Sequence, residues 1–234
     1  MHRRGASTQQ TLHVYNSKLN YLTDNHYKSV QLSLLNAFFY YKYPFRTFGD
    51  QYITMNEEQV ILVNENDEKI GLMPKMEAHE KALLHRAFSV FIFNDKNELM
   101  LQQRALQKYH SPGLWTNTCC SHQRDGESSI NAGKRRLQEE MGFTTELRHT
   151  TSFIYKAPFD NGLTEHEFDH ILIGNHNQDP VINEDEVASW KWMSLEAVKE
   201  DIKESPEIYS AWFKIIFDKF YDYINVGKHE GNCK

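Results

Sequence analysis

The sequence is poor in the residues that mark secreted, fibrous and membrane proteins. It holds three cysteines, Cys119, Cys120 and Cys233. These are too few and too unevenly placed for a secreted disulfide framework, and adjacent Cys119 and Cys120 are poor partners for each other. A reducing cytoplasm is the expected setting. Six prolines and 11 glycines in 234 residues exclude collagen-like and low-complexity chains. No apolar run approaches the roughly 20 residues that a membrane-spanning helix needs, so no integral membrane protein is expected. Positive charge is also in deficit. With 26 Lys+Arg against 32 Asp+Glu, the formal charge is -6, and neither nucleic acid nor an anionic membrane is an expected partner. Any anion site must be local. What is present is ordinary for a packed globular chain, 40% hydrophobic and 13% aromatic, apart from an unusual 12 histidines.

The chain changes texture near Met55. Residues 1–54 carry eleven aromatics, six Lys/Arg and two acids, Asp24 and Asp50, with no helical or alternating pattern. They read as an extension, and residues 55–234 as the domain. Three readings of the extension stay open: an acid-poor targeting segment, a partly ordered arm, or sequence upstream of a true start at Met55. Arg3 and Arg4 are not followed by the apolar stretch of a signal peptide.

Beyond Met55 the pattern is legible. Gln59 to Val63 reads as a buried strand closed by the turn signal at 64–67, and Ala87 to Phe93 and Glu98 to Gln103 read as a hairpin. A helix is predicted from about Ser128 to Met141, ended by Gly142. Further strands are predicted near Thr151 to Lys156, Glu165 to Ile173 and Val187 to Met193, with helices near Leu195 to Lys203 and Ile208 to Tyr223. Hairpins with interspersed helices argue for one α/β domain on a mixed sheet.

Three groups of residues carry chemistry. On the Ser128 to Gly142 helix, Glu127, Arg135, Glu139, Glu140 and Gly142 stand at the spacing E-x7-R-x3-E-E-x-G. This resembles the Nudix box, whose carboxylates hold Mg²⁺ against a diphosphate. Ser121 stands where that pattern has its leading Gly, and Arg136 where it has a metal-binding Glu. Replacing Glu by Arg deletes an oxygen ligand and adds a forked donor suited to phosphate oxygens. Such a site should grip a diphosphate and hydrolyse it poorly. In the second group, Cys120 and His122 share a face if the segment is extended, and His122 is expected either to depress the thiol pKa or to ligate a metal. In the third, Glu165 and Glu167 point to one strand face and His166 to the other. With His79, His85 and His122 they make a ligand set suited to Mn²⁺, Mg²⁺ or Zn²⁺.

Together these motifs resemble the type I isopentenyl-diphosphate isomerases, a branch of the Nudix superfamily. The resemblance rests on His79, the run Leu84 to Ser89, Gln103-Arg104, Pro112-Gly113, the run Trp115 to His122, Arg135-Arg136, Glu165-His166-Glu167 and Trp212. It covers about residues 57–220 and implies an α/β/α sandwich around a mixed sheet. The implied reaction interconverts isopentenyl and dimethylallyl diphosphate by protonation and deprotonation across an allylic system, in isoprenoid biosynthesis. By resemblance Cys120 and Glu167 transfer protons, Tyr155 relays or donates one, and Trp212 faces the carbocation. Lys75, Arg104, Lys108 and Arg136 would grip the diphosphate. His79, His85, His122, Glu165 and Glu167 would hold one metal, and Glu140 a substrate-bridging Mg²⁺. The partner is a small-molecule isoprenoid diphosphate, and the enzyme is expected to be a monomer or weak dimer. A Nudix-type diphosphate hydrolase is the rival reading, favoured by Glu127, Glu139 and Glu140 and opposed by Arg136.

Overall fold

The computed structural model describes residues 57–159 and 161–230; the expectations for residues 1–54 and for Cys233 lie outside the described residues. The first strand, β1 (Gln59–Val63), returns through a turn as β2 (Lys69–Pro74). The turn is fastened by Asn64, whose Oδ1 accepts from the backbone N–H groups of Asn66 and Glu68. Next comes α1 (Lys75–Glu80), then the strands β3 (His85–Phe93) and β4 (Glu98–Arg104). Two short strands, β5 (Trp115–Thr116) and β6 (Cys119–Ser121), precede α2 (Ser129–Met141). Long strands β7 (Leu147–Pro158) and β8 (Thr164–Asn175) follow, then β9 (Val187–Ser194), α3 (Leu195–Glu204) and α4 (Ala211–Glu230).

The helix ends obey their sequence signals. Ser128 caps α2 by accepting from the Asn131 N–H, and Ser194 caps α3 by accepting from that of Ala197. Gly142 closes α2 at φ 73, and a Cβ there would stand 2.3 Å from the Val181 carbonyl oxygen, so no other residue fits. The expected helix from Ile208 instead begins with a 3-10 turn at Pro206–Ile208, and α4 starts only at Ala211. The side chain of Ser210 sets that start, accepting from the Phe213 N–H.

The strands form one nine-stranded mixed sheet in which β3 pairs antiparallel with β1, β4 and β6 and parallel with β8. Alternation along β3 serves both faces. Phe91 and Phe93 pack with Leu195 of α3 and Phe213 and Ile216 of α4, whereas Phe88, Val90 and Ile92 pack with Ala132, Leu137 and Met141 of α2. Each fully buried Phe contributes about 1.5–3 kcal/mol. The result is the expected α/β/α sandwich.

One irregularity builds the site. β3 and β4 pair only at Phe93 and Leu99 and then splay. Residues 116–118 close the gap with side chains in place of a ladder. Thr118 Oγ1 accepts from the Ile92 N–H and donates to the Met100 carbonyl, and Asn117 Nδ2 donates to the Val90 carbonyl. The chain is thereby delivered into β6, beside β3.

Candidate active site

The sheet register places the chemistry. On β8, Glu165, Glu167 and Asp169 are buried at every second position, facing one side, while His166 turns away to the Ala82 carbonyl. Glu167 lies opposite Tyr155 of β7 and beside His85 of β3, and Cys120 of β6 lies opposite Ser89 of β3. Cys120 and Glu167 thus approach from strands on the two sides of β3. They line one cavity of about 650 Å³, measured out to its mouth, with Tyr155, Trp212, Lys75, Arg104, Lys108, Arg136 and Glu140 also in its wall.

At one end, His79, His85, His122 and Glu167 each offer a ligand atom, all within 4.8 Å of one another, and all four side chains are buried. The donor set fits a divalent cation. His79 Nδ1 lies 2.7 Å from the Lys75 carbonyl and His85 Nδ1 2.8 Å from that of Leu83, which fixes each Nε2 as a bare lone pair. The Nε2 atoms of His85 and His122 then stand 3.2 Å apart, with Glu167 Oε1 at 3.5 and 3.0 Å. So close a set of acceptors calls for a proton or a cation among them. Burial favours the neutral, ligating form of two of these imidazoles, lowering His79 and bringing His122 to about 4. Glu165 is not part of this tight group; its carboxylate turns to the Tyr155 hydroxyl.

Deeper in the cavity that hydroxyl lies 2.6 Å from Glu167 Oε2 and 3.0 Å from Glu165 Oε2. A phenol has one proton to donate, so one of the two carboxyls must supply its own. Burial and then the charge of Glu167 raise Glu165 well above the carboxylate range. Burial opposes ionisation of Glu167 too, but the adjacent His122 and His85 side chains outweigh it and hold that carboxyl low. Glu165 is therefore the carboxyl disposed to hold a proton, and Glu167 the one disposed to be ionised. Cys120 does not behave as its neighbour His122 suggested: burial pushes the thiol well above its ordinary value, and His122 is neutral and turned to Glu167. Cys119 and Cys120 are both free thiols. Trp212, 2% exposed, contributes an indole face, with the Arg104 guanidinium 5.1 Å from its ring centroid.

Another part of the wall is ionic. Lys75 pairs with Glu58 at 3.1 Å, Lys108 with Glu186, and Arg136 with Glu139 at 2.7 Å, Glu140 at 2.6 Å and Glu186 at 3.3 Å. Glu140 also accepts from Gln102 at 2.8 Å. Arg135 does something different. Its fork takes both oxygens of Glu127 at 2.9 Å, tying the loop to α2. The box residues thus divide between holding the loop and facing the cavity.

The structure adds residues that the sequence did not single out. Glu186 is the shared counterion of Lys108 and Arg136, and it sits in a turn before β9 with no motif around it. His110, which burial brings to about 3, packs against Trp212 at 5.7 Å between ring centroids. Asp169 receives the Ser89 hydroxyl at 2.9 Å beneath the carboxylate pair. Only Asp169 had a signal, the continuing alternation of β8.

A sandwich whose box helix carries Arg136 at a carboxylate position, next to a buried His/Glu centre, defines a Nudix-type protein equipped for a divalent cation and a charged ligand. The NUDIX domain family matches residues 83–213. Among curated proteins, an isopentenyl-diphosphate Delta-isomerase 2 of Aromatoleum aromaticum is 52% identical over 163 residues, 70% of this chain and 86% of the relative. An isopentenyl-diphosphate Delta-isomerase of Pectobacterium atrosepticum is 46% identical over 172 residues, 74% of this chain and 96% of the relative. The chain belongs to the isopentenyl-diphosphate Delta-isomerase family within the Nudix superfamily. The solved structure of DR0079 from Deinococcus radiodurans superposes with a TM-score of 0.58 at 20% identity, over 70% of this chain and 99% of that one, and shares the fold.

Proposed function

We propose that the chain interconverts isopentenyl and dimethylallyl diphosphate, with Cys120 and Glu167 transferring protons on opposite sides of the bound alkene. The supporting observation is that a thiol and a carboxylate line one cavity from strands on either side of β3, with burial raising the thiol and the neighbouring histidines lowering the carboxyl. In the resting protein the thiol is the acid and the carboxylate the base, roles that require opposite protonation states. Adding a proton to the alkene creates a tertiary cation, and removing one from the neighbouring carbon regenerates the shifted double bond. Trp212 presents its π face to that cation, worth about 2 kcal/mol or more in a desolvated site. Tyr155 passes protons between Glu165 and Glu167 along its hydrogen bonds to both.

Lys75, Arg104, Lys108 and Arg136 hold the diphosphate. Its binding energy places the alkene, since orientation is what an allylic shift demands. We assign Mn²⁺, Mg²⁺ or Zn²⁺ to His79, His85, His122 and Glu167, with Glu165 as the further carboxylate of the set, and a substrate-bridging Mg²⁺ to Glu140. Cations held at these places would supply fixed positive charge to order the carboxylates and offset the diphosphate. The free thiols suit a reducing cytoplasm, and a monomer or weak dimer is proposed. Among the described residues no helix is long and apolar enough to cross a membrane.

Incubation with isopentenyl diphosphate and Mg²⁺ in deuterated water, followed by NMR, tests this reading. Deuterium at carbon with the diphosphate intact is expected. Release of phosphate, or no exchange, would overturn it.

A further inference from the structure

The sheet face that packs against α2 carries a second histidine cluster, unconnected with the cavity. His149 Nε2 and His170 Nδ1 lie 3.3 Å apart, and the Ser152 hydroxyl is 2.7 Å from the first and 3.0 Å from the second. A sequence separation of three would put His149 and Ser152 on opposite faces of a regular strand. A β-bulge prevents this. The β7–β8 register shifts between His149 and Thr151, so that His149 pairs opposite Leu172 and Ser152 opposite His170, all on one face. The bulge re-aims one imidazole at the other.

We infer that His149 Nε2 and His170 Nδ1, with the Ser152 hydroxyl, form a surface site for a borderline divalent cation of the Zn²⁺ class. Two independent features carry this. The first is metric: imidazole nitrogens bound at about 2.0–2.1 Å in a tetrahedral shell stand about 3.3 Å apart, the separation found here. The second is the support behind the ligand. The other nitrogen of His170 lies 3.1 Å from Asp67 Oδ2, near enough to pair though off the line of a straight hydrogen bond. Asp67 in turn is gripped by Arg86, through Oδ1 and through its backbone carbonyl, both at 2.6 Å. A carboxylate behind a ligating histidine is the usual outer support of such sites, fixing ring orientation. Imidazoles with a hydroxyl suit Zn²⁺ better than Mg²⁺ or Ca²⁺, which take oxygen ligands. Because Asp67 lies in the β1–β2 turn, a cation here would pin that hairpin to β7 and β8.

The site shares no ligand with the cavity, so its test is independent of the isomerase reading. Full-length protein, with the buried centre already filled, is titrated with Zn²⁺ at free concentrations buffered in the micromolar range, wild type against His149→Ala. His149 is exposed, so its truncation leaves the fold intact. Wild type is expected to take up one more equivalent than the variant, with unchanged isomerase rate in both. Asp67→Asn should keep the extra equivalent but bind it about tenfold more weakly, the usual scale for losing such a support. Equal uptake by wild type and His149→Ala, or an extra equivalent only at millimolar Zn²⁺, would overturn the inference.

Discussion

Two parts of the cavity wall are built on opposite principles. At the reacting end Cys120, Tyr155, Glu165, Glu167 and Trp212 are held by strands and the start of α4, and the Tyr155 hydroxyl engages both carboxyl groups. At the mouth Lys75, Lys108 and Arg136 rest on Glu58, Glu139, Glu140 and Glu186, partners that a diphosphate must displace or share. The buried end is organised before substrate arrives. The acids at the mouth are internal stand-ins for the anion, which keep three cations together in a protein of charge -6 and make binding an exchange of partners.

That contrast predicts where mutations act. Glu167→Gln removes the base and a metal ligand at once, so kcat should fall by about 10⁴-fold, the upper end for a positioned acid or base; steady-state rates in metal-replete buffer check it. Arg136→Ala should leave kcat near normal and raise KM about 10–100-fold, the scale of a charge-assisted bond. An unchanged KM would remove Arg136 from the mouth. Trp212→Leu keeps an apolar wall but loses the π face, and kcat should drop about 30-fold, equivalent to about 2 kcal/mol. Glu186→Gln acts in the other direction. Freeing Lys108 and Arg136 from an internal rival should lower KM about threefold, within the range of a partly exposed ion pair, with kcat unchanged.

Stability against pH separates the ends as well. Burial lowers His110 from 6.5 to about 3, so the folded protein excludes a proton that the unfolded chain binds. The stability this represents is complete above pH 6.5 and is lost as pH falls toward 3, at no more than about 1.4 kcal/mol per pH unit. His110→Asn should therefore lose less Tm than wild type between pH 7 and pH 5 in thermal scans.

Much of this was legible in the sequence where one period dominates. The Ser128 cap and Gly142 stop gave α2 to within a residue, and the Gln59–Val63 strand and the alternation of β8 were read correctly. β2 and α1 were not, although α1 carries Lys75 and His79. β2 is largely exposed and α1 has six residues without a side-chain cap, so neither leaves a periodic mark. Of the two roles open to His122, that of a metal ligand fits the structure and that of lowering the Cys120 pKa does not. Neighbourhood in sequence suggested that His122 would act on Cys120, whereas burial and the Glu167 carboxylate, both tertiary, decide the state of each. Ion pairs at the mouth are equally invisible, because Glu186 reaches Lys108 from 78 residues away.

The central claim is that Cys120 acts on bound substrate as an acid and does nothing to hold it. Single-turnover kinetics and equilibrium binding of isopentenyl diphosphate to Cys120→Ala test this directly. The account predicts a rate lower by about 10³-fold with Kd within about threefold of wild type, whereas a near-normal rate, or a loss confined to binding, would contradict it.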